Sequence, residues 1–401
     1  MAGEDWTRMP LGDFVTLQRG HDLPGERRRP GGVPILGSFG ITGWHDVTKA
    51  RGPGVTVGRS GASFGVVSYS PSDYWPLNTA LYVIDFHGND ERFAYYFLKQ
   101  FDFRGYNSGS AQPSLNRNYV HPVPIDVPPL SEQRAIANIL GTLDDKIEVN
   151  RRMSATLEAM ARALFKAWFV DFEPVRAKQA ARSAGGATGN QKSEGRDPGL
   201  PSHLAALFPD RLVETEHGEV PEGWEVRTVA DIMEFAYGKA LKASERVDGQ
   251  VPVYGSGGVT GFHDEAHVKG PSIIVGRKGT VGSLYWEDRP FFPIDTVFYV
   301  QSKAPLTFCY HHLQTLGLEN MNTDAAVPGL NRNNVYRLPV PWSSDELLAS
   351  FDKIVLGYRR RMRAAGEEIE TLAALRDTLL PKLISGDLRV KDAEKFLGAA
   401  A

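Results

Sequence analysis

The chain has 401 residues, with 45 Lys and Arg against 48 Asp and Glu, which gives a formal charge of −3. A hydrophobic fraction of 42% against 23% charged residues is typical of a globular protein and excludes a disordered or collagen-like chain for most of the sequence. The single cysteine, Cys309, excludes an intrachain disulfide and a zinc site built on cysteines; with no secretory leader and no apolar run of about 18 residues, we expect a cytoplasmic protein without a membrane partner.

Residues 1–130 are predicted to form a first domain of mixed α and β structure. Short apolar runs separated by glycines predict strands with tight turns at 55–57, 65–67 and 80–84, and the spacing over 92–101 favours a helix. Trp44, in a glycine-rich segment of this domain, is expected to be a core residue.

Two segments of this domain carry the main candidate binding residues. The loop Gly58-Arg-Ser-Gly61 offers a cation, Arg59, beside Ser60 and backbone N–H groups, and it can approach a phosphate or a base edge closely. The alternative is a tight hairpin with an exposed arginine. In Leu115-Asn-Arg-Asn118, Asn116 can pair with adenine and Arg117 with guanine or phosphate, although both residue types also stabilise turns through local hydrogen bonds. Weaker candidates lie in the glycine-rich segment, which could simply position a strand: Ser38, Thr42 and His45.

A long helix is predicted to follow, over 131–182. Apolar residues recur at spacings of three and four from Ser131 to Phe169, and Ser131 with Glu132 suits a helix start after two prolines. A helix of about 38 residues is about 55 Å long, which exceeds what one small core can cover. Residues 183–204 are rich in small and polar residues and are predicted to be a flexible surface linker.

The remaining chain repeats the first part. The segment 34–46 returns at 252–264 with 8 of 13 positions identical, at a constant offset of 218. Residues 205–343 are therefore predicted to form a second, similar domain, and 344–401 a second long helix with a C-terminal tail. Phe262, like Trp44, is expected to be a core residue. The candidate binding residues recur as well, with Lys278 in place of Ser60: Arg277, Lys278, Asn331, Arg332, Ser256, Thr260 and His263.

The two long helices each carry one apolar stripe, so we expect the stripes to bury each other as a coiled-coil-like pair. If a two-fold axis relates the repeats, the helices run antiparallel. The fold class is then α+β: two similar mixed α/β domains separated by a pair of long antiparallel helices, with pseudo-two-fold symmetry, in the shape of a dumbbell.

Four long motifs resemble one family, the specificity subunit of type I restriction-modification enzymes, which has two target-recognition domains alternating with two helical conserved regions. The motifs lie at 128–140, 163–175, 218–226 and 375–388, and their order and spacing agree with that family over nearly the whole chain. The start of the second helix departs from the pattern, since Ser344-Asp-Glu replaces the Ser-Glu-Gln of 131–133.

The resemblance implies a non-catalytic reader of double-stranded DNA. Each domain would bind one half of a bipartite, asymmetric target, the helices would set the gap and dock two methyltransferase subunits, and motor-nuclease restriction subunits would join that complex. The sequence lacks the Gly-x-x-x-x-Gly-Lys-Ser/Thr and Asn-Pro-Pro-Tyr/Phe segments of nucleotide-binding proteins and amino-methyltransferases, and we expect no cofactor and no metal.

Charge leaves one alternative open, a coiled-coil scaffold whose paired domains bind protein or glycan. Residues 1–128 hold 12 basic and 12 acidic residues, and 226–342 hold 11 of each. DNA affinity must then come from the arrangement of charges and from partner subunits, so the chain alone is expected to bind DNA weakly.

Overall fold

The computed structural model describes residues 5–109, 113–185, 200–321 and 329–393. The chain divides into two compact units, one formed by Met1–Arg152 with Ala365–Ala401 and the other by Met153–Ala364. Each unit combines a β-rich domain with one part of each of two long helices.

The first unit begins with the β-rich domain. Its elements are β1 (Thr7–Pro10), α1 (Leu11–Phe14), β2 (Thr16–Arg19), β3 (Val33–Gly37), β4 (Gly40–His45), β5 (Gly54–Gly58), β6 (Val67–Ser70), β7 (Trp75–Pro76), β8 (Ala80–Asp85), α2 (Glu91–Gln100), α3 (Arg117–Val120) and β9 (Pro124–Val127). One antiparallel sheet has the order β2-β8-β5-β6, a second has the order β4-β3-β7, and β1 pairs with β9. The predicted strands at 55–57 and 80–84 are confirmed, as is the helix at 92–101, which begins one residue earlier because the Asp90 side chain accepts from the Phe93 amide at 2.8 Å.

The predicted strand at 65–67 is wrong except for its last residue. Gly65 has a positive φ of 77° and its amide donates to the Gly58 carbonyl at 2.8 Å, so it closes the turn before β6 begins at Val67.

The first long helix, α4 (Leu130–Phe169), has 40 residues, and its start is tied to the first domain by Gln133. The Gln133 side chain accepts from the Asp90 amide at 3.0 Å and donates to Asn89 Oδ1 at 2.8 Å and to the Pro128 carbonyl at 2.9 Å. This buried amide explains the Ser-Glu-Gln motif as a fixed joint between strand and helix.

The prediction of one helix over 131–182 is wrong at residues 170–172. Phe172 has a φ of 52°, in the left-handed region, and its buried ring meets Trp224 edge-on at 5.6 Å. A second helix, α5 (Glu173–Gly185), follows and extends into the predicted linker, held by ion pairs from Arg176 to Glu219 and from Arg182 to Asp210. Residues 186–199 of that linker lie outside the described residues, and residues 202–204 belong to a short helix.

The second unit repeats the sheet order of the first. After α6 (Ser202–Ala205) its elements are β10 (Leu212–Thr215), β11 (Gly218–Pro221), β12 (Glu225–Thr228), α7 (Val229–Ile232), β13 (Met233–Tyr237), β14 (Val251–Gly255), β15 (Gly258–His263), β16 (Ser272–Gly276), β17 (Leu284–Glu287), β18 (Phe292–Pro293), β19 (Val297–Ser302), α8 (Leu306–Thr315), α9 (Arg332–Tyr336) and β20 (Pro339–Trp342). The sheets β13-β19-β16-β17 and β15-β14-β18 match those of the first domain strand for strand, and β12 pairs with β20 as β1 does with β9. The predicted repeat is thus a repeat of topology.

The second long helix is α10 (Asp345–Ile384), also of 40 residues, which begins where Ser344 Oγ accepts from the Leu347 amide at 3.3 Å. In the first unit, Asp144 of α4 pairs with Arg376 and Asn150 with Glu368. In the second unit, the Phe165 and Phe351 rings lie 5.8 Å apart. Partners on α10 move toward its start as α4 advances, so the predicted antiparallel helix pair is confirmed. No helix of the described ranges is long and apolar enough to cross a membrane.

The predicted core positions of Trp44 and Phe262 are wrong. Their side chains are 54% and 55% exposed. Trp44 lies on β4 and Phe262 on β15, and each of these is an edge strand of a three-stranded sheet. Their side chains lie on the uncovered face of the sheet, whereas the neighbouring His45 and His263 point inward.

Candidate functional site

The loops that follow β5 and β16 are the centre of the candidate site in each domain. The Arg59 amide donates to the Thr79 carbonyl at 2.9 Å, and the Arg59 carbonyl accepts from the Leu115 amide at 2.7 Å. Arg277 makes the same two bonds, to Thr296 at 2.9 Å and from Leu330 at 2.8 Å. Backbone hydrogen bonds therefore hold each candidate arginine beside the Leu-Asn-Arg-Asn segment, which is distant in sequence.

The glycines that open these loops are required by the packing of the chain on itself. A Cβ at Gly58 would overlap the carbonyl oxygens of Ser63 and Ser38, and a Cβ at Gly276 would overlap the Thr280 carbonyl and the Ser283 hydroxyl. The turn of the β3–β4 hairpin thus lies against the Arg59 loop. These glycines are explained by the fold without a ligand.

The asparagine of each Leu-Asn-Arg-Asn segment is a helix cap. Asn116 Oδ1 accepts from the Asn118 amide at 3.0 Å at the start of α3, and Asn331 Oδ1 accepts from the Asn333 amide at 3.0 Å at the start of α9. Both asparagines are otherwise exposed, so their amide groups keep donors that face solvent.

The arginine of each segment binds the backbone of the neighbouring strand. Arg117 Nη1 donates to the Leu17 carbonyl at 3.2 Å, and Arg332 Nη1 donates to the Phe235 carbonyl at 2.8 Å. One of five guanidinium donors is used in each bond, so local structure and ligand binding are compatible at these positions.

The amide of the same strand residue is satisfied differently in the two domains. His121 Nε2 accepts from the Leu17 amide at 3.0 Å, whereas the Tyr336 hydroxyl accepts from the Phe235 amide at 2.8 Å. Burial, together with the charge of Arg117, lowers the pKa of His121 and keeps its ring neutral, as an acceptor must be.

Each domain has an open groove at this junction. The groove of the first domain, of about 730 Å³, has three arginines and one carboxylate, Asp22, among the described residues that line it: Gln18, Arg19, Gly20, His21, Asp22, Arg59, Leu81, Ser108, Ser114, Leu115, Asn116 and Arg117. The groove of the second domain, of about 390 Å³, has three cations and no carboxylate in the part of its lining that the structure describes, which is formed by Tyr237, Arg277, Lys278, Phe298, Gly329, Leu330, Asn331, Arg332 and Asn333. We call these the first and second grooves. Both are positively charged, although residues 1–128 and 226–342 each hold equal numbers of basic and acidic residues.

The weaker candidates of the glycine-rich hairpins serve mainly structural roles. His45 and His263 are buried, and each accepts a backbone amide at Nδ1, from Arg29 and Val247 respectively, at 3.1 Å. Thr42 and Thr260 donate to the carbonyls of Ile35 and Val253. Ser38 and Ser256 are half-buried in the hairpin turns, and the Ser256 carbonyl accepts from the Ser283 and Tyr285 hydroxyls at 2.6 and 3.2 Å. None of the six lines the first or second groove.

Sequence reasoning missed Arg19, Tyr237 and a pair of hairpin arginines. Arg28 Nη1 donates to the Thr42 carbonyl at 3.1 Å, and Arg246 Nη1 donates to the Thr260 carbonyl at 2.8 Å. The offset of 218 that relates the repeats also relates Arg28 to Arg246, so this pair could have been found by extending the alignment. Among the described residues there is no cluster of three or more His, Cys, Asp or Glu side chains that could hold a metal ion.

Comparison with known proteins agrees with this two-domain arrangement. A family model described as "Type I restriction modification DNA specificity domain" matches residues 3–159 and 221–341. The chain is 26% identical over 331 residues to the type I restriction enzyme HindI specificity subunit of Haemophilus influenzae, covering 69% of this chain and 71% of that protein. It is 25% identical over 408 residues to a putative type I specificity subunit of Mycoplasma genitalium, covering 94% of each chain. The crystal structure of a type I restriction-modification S subunit from M. genitalium superposes with a TM-score of 0.62 at 22% identity, over 94% of this chain and 96% of that one, and shows the same fold.

Proposed function

Because the chain belongs to the type I restriction-modification DNA specificity family, as a specificity subunit with two target-recognition domains, we propose that each domain reads one half of a bipartite, asymmetric double-stranded DNA target. The observation that carries this proposal is the recurrence of one groove in both domains. In each, an arginine from the loop after a central strand and an Asn-Arg pair from a distant segment are joined by the same backbone hydrogen bonds.

The chemistry of the grooves suits a nucleic acid. Guanidinium groups bind phosphates and the O6 and N7 atoms of guanine, and asparagine side chains pair with adenine. Among its lining residues the second groove has no carboxylate that would repel a phosphate, and in the first groove Asp22 lies 3.6 Å from Arg19. Lys278 adds a cation to the second groove, whereas the matching position of the first domain is the neutral Ser60, and this inequality supports an asymmetric target.

We also propose that the chain is non-catalytic and acts in the cytoplasm within a larger complex. In this proposal the recognition domains are residues 1–130 and 205–343, the long helices dock two methyltransferase subunits, and motor-nuclease restriction subunits join through that complex. Exposed apolar side chains on the helices suit such docking: Val149 in the first unit, and Met160 and Leu356 in the second.

Exchanging residues 205–343 for the corresponding domain of a relative tests the modular reading. Cells that express the exchanged chain with its methyltransferase subunits should methylate a motif that differs in one half only, as measured by methylome sequencing. A change in both halves contradicts one half-site per domain, and restoration of residues 205–343 should restore the original motif.

Arg277→Ala tests the groove itself. If Arg277 reads a base, binding to one half-site should weaken by about 1–3 kcal/mol; if it holds a phosphate, all sequences should weaken alike and the salt slope should fall by about one. Arg211→Ala is the matched control, because Arg211 is an exposed arginine that pairs with Glu222 and does not line the second groove. An unchanged affinity and salt slope for Arg277→Ala would remove this residue from the interface.

A further inference from the structure

Arg19 and Tyr237 occupy the same position in the two domains. The offset of 218 relates them, and each is the last residue of its strand, β2 or β13. Strand register supports the equivalence, because Arg19 pairs with Leu81 of β8 as Tyr237 pairs with Phe298 of β19. A cation and an alkyl side chain in the first groove are thus replaced by two aromatic rings in the second.

In the second groove, Tyr237 holds two arginines. The Arg277 guanidinium carbon lies 4.8 Å from the Tyr237 ring centroid, and that of Arg332 lies 4.6 Å from the same centroid. Arg277 also lies 5.7 Å from the Phe298 ring and donates to the Asp295 carbonyl at 3.1 Å. Ring and carbonyl together fix each planar guanidinium in one orientation.

In the first groove, the matching arginine has no such support. Among the described residues the Arg59 side chain has no hydrogen bond, ion pair or ring partner. Within the described ranges the Arg19 side chain pairs with Asp22 alone, at 3.6 Å, and both side chains are more than half exposed. Arg117 keeps its bond to the Leu17 carbonyl. The first groove therefore presents Arg59 as a cation on a free side chain, beside Arg19, which is restrained by a long and exposed ion pair.

This difference determines what each groove can recognise. A guanidinium fixed in orientation presents its remaining N–H groups in one direction, as a bidentate contact with one base edge requires. A guanidinium on a free side chain follows the nearest phosphate, which binds strongly at low salt but carries little sequence information.

We propose that Tyr237 is a positioning residue that makes the second domain read its half-site through an oriented Arg277, whereas the first groove, with Arg19 in that place, holds DNA through mobile charge at Arg59. The proposal rests on the proposed function, because it assumes that both grooves bind DNA. It assigns base discrimination at the second groove to a side chain that need not touch the base itself.

The test uses the full chain co-purified with its methyltransferase subunits and a pool of randomised DNA duplexes, with bound duplexes identified by sequencing. We expect Tyr237→Leu to reduce the preference for the best base at one or two positions of one half-site by about tenfold. The other half-site should be unchanged. Tyr237→Phe keeps the ring and should restore the preference, and the thermal unfolding of both variants should match that of the wild type.

The first groove supplies the matched comparison. Arg59→Ala should lower the salt slope by about one without changing base preferences, whereas Arg277→Ala should remove the same base preference as Tyr237→Leu. Unchanged base preferences in Tyr237→Leu, or equal losses in both half-sites, would overturn the role of Tyr237. A wild-type complex that enriches no motif from the pool would instead overturn the proposed function.

Discussion

In each unit, the helix of the β-rich domain, α2 or α8, contacts a charged residue of a long helix, and that residue has opposite charge in the two units. In the first unit, the Tyr96 hydroxyl of α2 donates to Asp144 Oδ2 at 2.7 Å, and Asp144 Oδ1 accepts from Arg376 Nη1 at 2.7 Å. In the second unit, Arg359 takes the place of the acid, and it pairs with Glu158 at 3.4 Å. Asp144 and Arg359 are each the fifteenth residue of their helix, α4 or α10.

This exchange of an acid for a base explains why α4 pairs with α10 and not with a second copy of α4. Both acids, Asp144 and Glu158, lie on α4, and both bases, Arg359 and Arg376, lie on α10. An antiparallel α4–α4 pair built in the same way would bring two acids together, and like charges at such a contact are unfavourable. The same fold therefore carries a charge pattern that selects the partner within one chain.

Among the changes that test this comparison, we expect Arg359→Ala to reduce stability the most. The Arg359 guanidinium carbon lies 4.3 Å from the Trp286 ring and 4.5 Å from the Tyr310 ring, and only 9% of the residue is exposed. Its loss removes both ring contacts and leaves Glu158 with weaker partners, Gln314 at 3.4 Å and Arg162 at 3.8 Å, which we expect to cost about 3 kcal/mol in the free energy of unfolding. Denaturant unfolding, with hydrogen exchange of α8 peptides to locate the change, measures this cost.

The neighbouring Arg360 is exposed and provides the control, since Arg360→Ala should cost less than about 0.5 kcal/mol. In the first unit, Arg376→Ala should cost less than Arg359→Ala, because Asp144 keeps the Tyr96 hydroxyl at 2.7 Å, whereas the partners left to Glu158 lie at 3.4 and 3.8 Å. Equal losses for Arg359→Ala and Arg360→Ala would contradict a buried role for Arg359.

Lowering the pH should destabilise the second unit more than the first. The positions of Tyr96 and Phe97 in α2 are taken in α8 by His311 and His312, and burial lowers the pKa of each histidine to about 4 from 6.5. Above pH 6.5 each imidazole ring is neutral in the folded and in the unfolded chain. As the pH is lowered from 6.5 to 4, the unfolded chain takes up protons that the folded one does not. The free energy of unfolding therefore decreases over that range, by about 3 kcal/mol for His312.

His312→Phe, which places the first domain's residue in the second, should flatten this dependence. Hydrogen exchange of α8 and α2 peptides between pH 7 and 4.5, corrected for intrinsic rates, should show loss of protection in α8 and little change in α2. Equal loss of protection in α2 and α8 would contradict the expected difference between the units. If α8 of His312→Phe lost protection as steeply as α8 of the wild type, His312 would not be the cause of the acid sensitivity.

Much of this comparison could be predicted from the sequence, because the repeat preserves what the backbone requires. Gly58 and Gly276 avoid overlap with neighbouring carbonyls, and the Leu-Asn-Arg-Asn segments cap a helix and bind a strand in both domains. Identity between the copies therefore located the arginine loops and the Leu-Asn-Arg-Asn segments that line both grooves.

Features that depend on long-range packing could not be predicted in this way. His45 is buried because β7, which follows it in the chain by 30 residues, pairs beside β3 and brings Trp75 to 5.3 Å from the imidazole ring. The break at Phe172 occurs without the glycine or asparagine that usually marks a left-handed residue. Arg19 and Tyr237 escaped notice because they differ, and a search for identity between copies passes over such positions.

The two capping asparagines should give the smallest effect and decide between the two interpretations of the Leu-Asn-Arg-Asn segments. Asn116→Ala and Asn331→Ala each remove one bond to a backbone amide at the start of a short helix, which we expect to cost about 1 kcal/mol in the free energy of unfolding, equally in both domains. Asn→Ser at either position keeps the cap, removes the amide donors and adds no charge. If the asparagines only cap helices, the serine variants should bind DNA like the wild type; if they also read a base, each should lose affinity for its own half-site while unfolding stays unchanged. Parallel denaturation and duplex-binding measurements on the four variants separate these outcomes.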